Sequence, residues 1–189
     1  IMIDTPSYLQ DAKDLLGKDG FASGDVWYHG TSSALVTSIN GAGLKRSGDK
    51  VMNQAAKKTM ATIGNNYTET HDPVFLTQSK ELAFYWAQQA VRSRSVRVEG
   101  DESPVVYEVK LPGDLLSKVR PDVGAASLLM VKEGEHYMAF LAALYQDNEA
   151  GALDINLMKA DRNEYLNKLG MAYIDQDISP GYVKLLSEG

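Results

Sequence analysis

Cysteine is absent from the 189 residues, which removes disulfides, thiolate nucleophiles and Cys-ligated metals from the possible chemistry. Histidine is scarce: His29, His71 and His136 lack the spacing of metal ligands, so no metal site is expected. Long apolar runs are missing too. Met138 to Leu144 and Ser127 to Val131 fall far short of the roughly 20 residues a helix needs to cross a bilayer. The opening Ile-Met-Ile-Asp has neither the basic nor the apolar part of a secretory signal, and the expectation is a soluble domain with no membrane contact. Basic residues are outnumbered, 19 against 25 acids, and the net charge of −6 opposes capture of nucleic acid by clustered Lys and Arg.

What is present is ordinary globular composition, 44% hydrophobic and 23% charged, without repeats or low-complexity tracts. Leu9, Ala12, Leu15 and Leu16 predict a helical segment within residues 1–24, ended by Gly17 and Gly20, ahead of a single domain over 25–189. Val26 to His29 is a β-prone run ended by Gly30. Ser32 and Ser33 then offer an N-cap to a helix carrying Leu35, Val36 and Ile39, which Gly41 and Gly43 close. Polar residues 45–73 read as a long loop with one short helix around Asn53 to Ala61. Val74 to Thr77 reads as a buried strand. Ser79 caps a helix through Arg92 whose buried face holds Leu82, Ala83, Trp86 and Ala90, with Tyr85 on its shoulder. Val105 to Leu111 is a strand stopped by Pro112-Gly113, and helices are expected over 137–147 and 154–169. Strands over Met171 to Ile178 and Tyr182 to Leu186, joined by Ser179-Pro180-Gly181, complete an α+β fold with a mixed or antiparallel sheet flanked by helices.

Chemistry concentrates in three elements: a strand with His-Gly-Thr leading into a helix that ends in Gly-Leu, then a loop, then a strand-Thr-helix unit with an embedded Tyr. At a strand end, Gly30 lets a ligand approach the backbone and use its N–H and C=O, the pair a carboxamide such as nicotinamide requires. The His29 imidazole can donate to a ribose hydroxyl, and the Thr31 hydroxyl can donate or accept.

These blocks, Trp27-Tyr28-His29-Gly30-Thr31, Ile39 through Gly43-Leu44, and Val74-Phe75-Leu76-Thr77 followed by Ser79 to Tyr85, resemble the diphtheria-toxin and PARP-like ADP-ribosyltransferases over residues 26–90. The resemblance implies a split sheet flanked by helices, NAD+ as co-substrate without a metal, and transfer of ADP-ribose to a macromolecule. A protein acceptor is favoured over a nucleic acid, in the manner of bacterial toxins and effectors acting in the cytosol, with secretion or translocation into a target cell left open. His29 would hold the NAD+ ribose, Gly30 would clamp the nicotinamide amide, and Thr31 would support the adenosine side. Lys45, with Arg46 beside it, would neutralise the pyrophosphate. Nicotinamide would stack on Tyr85, while Phe75 takes the first aromatic position, where the family usually has Tyr. The step from Phe75 to Tyr85 is one residue shorter than the family's.

The family's catalytic Glu opens a late strand. Here that position falls near Leu169 to Met171, none of them acidic, and the nearest acids are Glu164 on the preceding helix and Asp175 and Asp177 beyond. Alternation from Met171 puts Asp175 on the same face and ranks it above Glu164. Plainer roles compete: Tyr85 as packing beside Trp86, the loop bases as solvated charges, and Asp175 as a turn cap. Two other functions compete as well. An RNA 2′-phosphotransferase-like NAD+-consuming enzyme is disfavoured by the acidity, and a catalytically silent NAD- or ADP-ribose-binding module is suggested by the missing Glu.

Overall fold

Tyr28 and Thr77 exchange backbone hydrogen bonds of 2.8 and 3.0 Å, and this isolated bridge joins two antiparallel three-stranded sheets. The computed structural model describes residues 5–22, 24–49, 72–124 and 132–187. Its strands are β1 (Leu16–Gly17), β2 (Gly20–Phe21), β3 (Val26–Ser32), β4 (Val74–Leu76), β5 (Pro104–Lys110), β6 (Arg120–Pro121), β7 (Ala172–Ile174) and β8 (Val183–Leu186). Its helices are α1 (Ala12–Leu15), α2 (Val36–Ala42), α3 (Lys80–Ser95), α4 (Gly113–Leu116), α5 (Lys132–Asp147) and α6 (Arg162–Glu164), the last running into a π-type turn over Tyr165–Leu169. The chain is therefore α+β, and none of its described helices is long and apolar enough to cross a membrane.

One sheet runs β3-β5-β8 and the other β4-β7-β6. Sequence patterning predicts that the last two strands form a pair, yet β7 lies between β4 and β6 while β8 extends the other sheet along β5. A 3-10 turn, Pro180–Tyr182, carries the chain across, with proline near its start, where a missing N–H costs nothing. Strand β3 also differs from expectation. It continues through Gly30 to Ser32, pairing Gly30 with Val106 and His29 with Tyr107, so His-Gly-Thr lies within a strand rather than at its end. The short helix expected around Asn53 to Ala61 lies outside the described residues.

Packing explains two of the sequence signals. Gly43 ends α2 at a φ of +84°, and a Cβ there would stand 2.0 Å from the Ile178 carbonyl oxygen. Only glycine fits that approach, which lets Leu44 bridge Ile178 in an antiparallel pair. The N-terminal residues form two short turns and the β1-β2 hairpin instead of one long helix. They are packed into the main core: Leu9 sits with Ala83, Phe84 and Val106, while Ala12, Leu16 and Phe21 join Leu82 and Tyr85. A second apolar cluster, including Trp27, Ile39, Leu76, Tyr107 and Ile174, lies where the two sheets approach.

Candidate functional site

Helix α3 is the element that shapes the site. Ser79 starts it by accepting from the N–H groups of Glu81 and Leu82 at 3.1 and 3.4 Å, satisfying first-turn donors. The helix then crosses β3 at Gly30, where a Cβ would meet the Ala83 carbonyl oxygen at 1.8 Å. The missing side chain of Gly30 thus admits the helix backbone, while Gly30 also borders the cavity. Past this crossing, Trp86, Gln89, Ala90 and Ser93 recur at helical spacing and present one face to a cavity of about 730 Å³. That is within the usual size of small-molecule sites.

Strands build the opposite walls. Phe75 of β4 pairs directly with Tyr173 of β7, which puts both rings on one face of the sheet, and both line the cavity. Phe75 is 52% exposed, which leaves its ring face open to the cavity. Gly170, Met171 and Ala172 form an adjoining wall. Their approach is set by α5, whose Tyr137 and Tyr145 hydroxyls donate to the carbonyls of Leu169 and Lys168. Asp122, just after β6, donates its N–H to the Met171 carbonyl at 2.8 Å and also lines the cavity.

His29 lies half-buried on the cavity wall, its Nδ1 2.8 Å from the Phe75 carbonyl oxygen. A carbonyl only accepts, so Nδ1 carries the proton and donates. Burial of the ring pushes its pKa below the ordinary 6.5, the bond to Phe75 opposing this only in part. The ring is therefore neutral at pH 7 and its Nε2 is an acceptor. A ribose hydroxyl would donate to His29, the reverse of the direction read from the sequence.

Among the expected site residues, His29, Gly30 and Phe75 meet at the cavity, and the others do not. Tyr85 is 1% exposed and stacks on Phe140 with centroids 4.9 Å apart, inside the core. Trp86 takes the cavity position instead, since one residue along a helix turns the side chain by about 100°. Measured from Phe75, Trp86 also restores the one-residue shortfall that Tyr85 leaves. Thr31 is buried and lies off the cavity. Lys45 and Arg46 face acids: Lys45 Nζ is 3.9 Å from Asp177, and the Arg46 guanidinium is 3.4 Å from Asp175 and 3.5 Å from Asp177. The Arg46 N–H also donates to Asp177 at 2.9 Å and, foremost, holds that carboxyl below its usual range. Neither base reaches the cavity wall.

Both nominated acids lie elsewhere too. Strand β7 ends at Ile174, so the alternation that placed Asp175 stops one residue early, and Asp175 sits exposed in a bend beside Arg46. Glu164 forms an i,i+4 pair with Lys168 at 3.6 Å, on α6 and away from the cavity. Trp86, Tyr173 and Asp122 are among the lining residues that the sequence does not nominate. Trp86 had a signal in its spacing from Phe75, and Tyr173 had one in the alternation from Met171. Asp122 follows a two-residue strand, too short to register as a pattern. Among the described residues no group of three or more His, Asp or Glu is placed to hold a metal ion. Compared with known proteins, the chain matches no family model, no curated protein and no solved structure.

Proposed function

We propose that the chain binds NAD+ in this cavity and transfers its ADP-ribose to a macromolecular acceptor, a protein in preference to a nucleic acid, as a toxin- or effector-like ADP-ribosyltransferase. The observation that carries the proposal is the convergence of a neutral His29, with an acceptor nitrogen, and the rings of Phe75, Trp86 and Tyr173 on one cavity. Planar, positively charged nicotinamide is the kind of group that aromatic walls attract through their π-faces. Nε2 of His29 accepts from a ribose hydroxyl and fixes the sugar against the wall. Two sheets meeting at the Tyr28–Thr77 bridge fit the split sheet that the resemblance implies. With no metal required, catalysis rests on orientation and on electrostatics around the breaking glycosidic bond.

A second reading has an observation of its own: Asp175 and Glu164 both stand off the cavity, as in a module that binds NAD+ without cleaving it. Nicotinamide release separates the two. Incubating the protein with labelled NAD+ and a cell lysate, followed by mass spectrometry, is expected to show released nicotinamide and an ADP-ribosylated protein. Tight NAD+ binding with no nicotinamide release would establish the silent module, and absence of NAD+ binding would overturn both readings.

A further inference from the structure

A second cavity, of about 830 Å³, lies along α3, and Gln89 lines both it and the first. One helix therefore gives a wall to each. Trp86, Gln89 and Arg92 follow at i, i+3 and i+6, each step rising about 4.5 Å and turning back about 60° round the axis. This ridge leads from the aromatic wall of the first cavity, past the shared Gln89, to Arg92 in the second. Three elements bring polar heads to the second cavity: Lys13 from α1, Arg92 from α3 and His136 from α5, all exposed. Half-buried Phe140 adds an aromatic ring. The acids of this cavity stand apart along the helices: Glu81 is three turns from Arg92 and Asp147 three turns from His136, about 16 Å in each case. Glu81 is also engaged already, accepting from the Ala12 N–H.

Building on the proposed NAD+ function, we infer that the two cavities hold one dinucleotide, the nicotinamide ribose half of NAD+ in the first and its ADP half in the second, with Arg92 and Lys13 on the pyrophosphate. The loop bases expected there are turned to acids instead: Lys45 to Asp177, and Arg46 to Asp175 and Asp177, off the first cavity. Arg92 suits the task, since a guanidinium presents parallel N–H donors that match two phosphate oxygens, and Lys13 adds a point charge. No ion pair among the described residues engages either of them. The six residues from Trp86 to Arg92 span about 9 Å of helix, which accommodates one ribose between a nicotinamide stacked on Trp86 and the pyrophosphate. Gln89, midway, has an amide that can donate to and accept from the sugar hydroxyls. Beyond the phosphates, adenine stacks against Phe140, as bases do on exposed aromatic rings. The co-substrate is thus read twice, its ring by aromatic contact and its diphosphate by charge.

Calorimetric titration of the full chain with NAD+, with ADP and with nicotinamide tests the assignment. The unmodified protein is expected to bind all three, and ADP should compete with NAD+. Arg92→Gln should weaken NAD+ and ADP alike, each about tenfold, the size of one charge-assisted contact. Its nicotinamide affinity should stay unchanged, which also reports a folded first cavity. Lys13→Gln should lower the same two affinities by a smaller factor, and Arg92→Lys should recover part of the loss. Phe75→Ala should do the reverse, weakening NAD+ and nicotinamide but not ADP. NAD+ binding that survives intact in both Arg92→Gln and Lys13→Gln overturns the assignment and leaves the NAD+ function standing. Weakened NAD+ binding in Lys45→Gln with none in Arg92→Gln does the same, returning the pyrophosphate to the loop bases. A protein that binds no NAD+ overturns the function itself and the assignment with it, whether or not ADP binds.

Discussion

Asp11 and Glu81 each cap the helix that carries the other. The Asp11 carboxylate accepts from Ser79 Oγ and Lys80 N, both at 2.6 Å, and from Glu81 N at 3.3 Å, at the start of α3. In return, Glu81 Oε1 accepts from the Ala12 N–H at 2.7 Å, at the start of α1. Both side chains are largely buried, so two orphan ends are satisfied where water does not reach easily. Asp11→Ala removes one cap and strands the Ser79 hydroxyl. It should destabilise the protein by about 1–2 kcal/mol, read as a lower urea midpoint.

The same pair has a pH signature. Burial is the main cause that pushes both carboxyls above their ordinary values of 3.8 and 4.5, and for Glu81 the neighbouring Asp11 charge adds to it. As pH falls, the folded protein therefore binds these protons before the unfolded chain does. Stability contributed by the pair rises as pH falls through the folded pKa values and levels off below the unfolded ones. Asp11→Asn keeps a capping oxygen without titrating. The difference in unfolding free energy between the native protein and this variant should shift towards the native protein between pH 7 and pH 4, and a pH-independent difference would contradict the linkage.

Arg94 gives a prediction of opposite sign. The residue is 5% exposed, its guanidinium lies 2.7 Å from Glu102 and 2.6 Å from Asp49, and the Ser32 hydroxyl also donates to Glu102. Arg94, more than any other cause, holds the Glu102 carboxyl below its usual range. That stability is present above the unfolded value of 4.5 and is lost as pH falls through the lowered folded one. Arg94→Met leaves two carboxylates without their cation and should cost about 3–5 kcal/mol in denaturant unfolding, the scale for breaking a buried pair from one side.

Tryptophan fluorescence distinguishes the two aromatic neighbours on α3. The chain has two tryptophans, Trp27 in the core and Trp86 on the cavity wall. NAD+ should quench emission in the native protein and in Trp27→Phe, whereas Trp86→Phe should lose the response. Tyr85→Ala, by contrast, opens a hole beside Phe140 and Tyr137. It should lower stability by about 3–5 kcal/mol, and quenching that persists in a folded Tyr85→Ala protein would confirm that the ring is not part of the binding wall.

For His29, NAD+ affinity should be flat at and above pH 7 and fall only at values below 6.5, because its pKa is lowered. Protonation converts Nε2 from acceptor to donor and adds a positive charge facing a positive ring. Folding follows the same direction: the unfolded histidine binds its proton first, so stability falls as pH drops below 6.5. His29→Ala should weaken binding by about 1–3 kcal/mol and abolish this limb of the titration in calorimetry.

Much of this arrangement is legible in the residues themselves. The Ser79 cap, the β-prone Val105 to Leu111 run and the Gly43-Leu44 ending all correspond to observed elements, and local chemistry is enough for each. What local pattern does not carry is partnership. Alternation makes β7 and β8 strands but says nothing of which sheet each joins, and so the closing pair is misread. Tyr85 and Trp86 are both aromatic neighbours on one helix, and only the crossing at Gly30 decides which faces the cavity. Counting along the strand puts Asp175 on the face of Met171, but the strand ends at Ile174. Asp122 enters through a tertiary bond to Met171 that no spacing in the chain announces.

The pairing of Phe75 with Tyr173 across β4 and β7 has a consequence for synthesis. The two rings share one wall, whose Phe75 half is made before its Tyr173 half, and His29, although bonded to Phe75, has no complete wall beside it until β7 has docked. Contacts so distant along the chain form slowly, because a long loop must close before they return any energy. On the ribosome, this wall would thus be completed in one step, with the arrival of Tyr173, rather than growing with the chain.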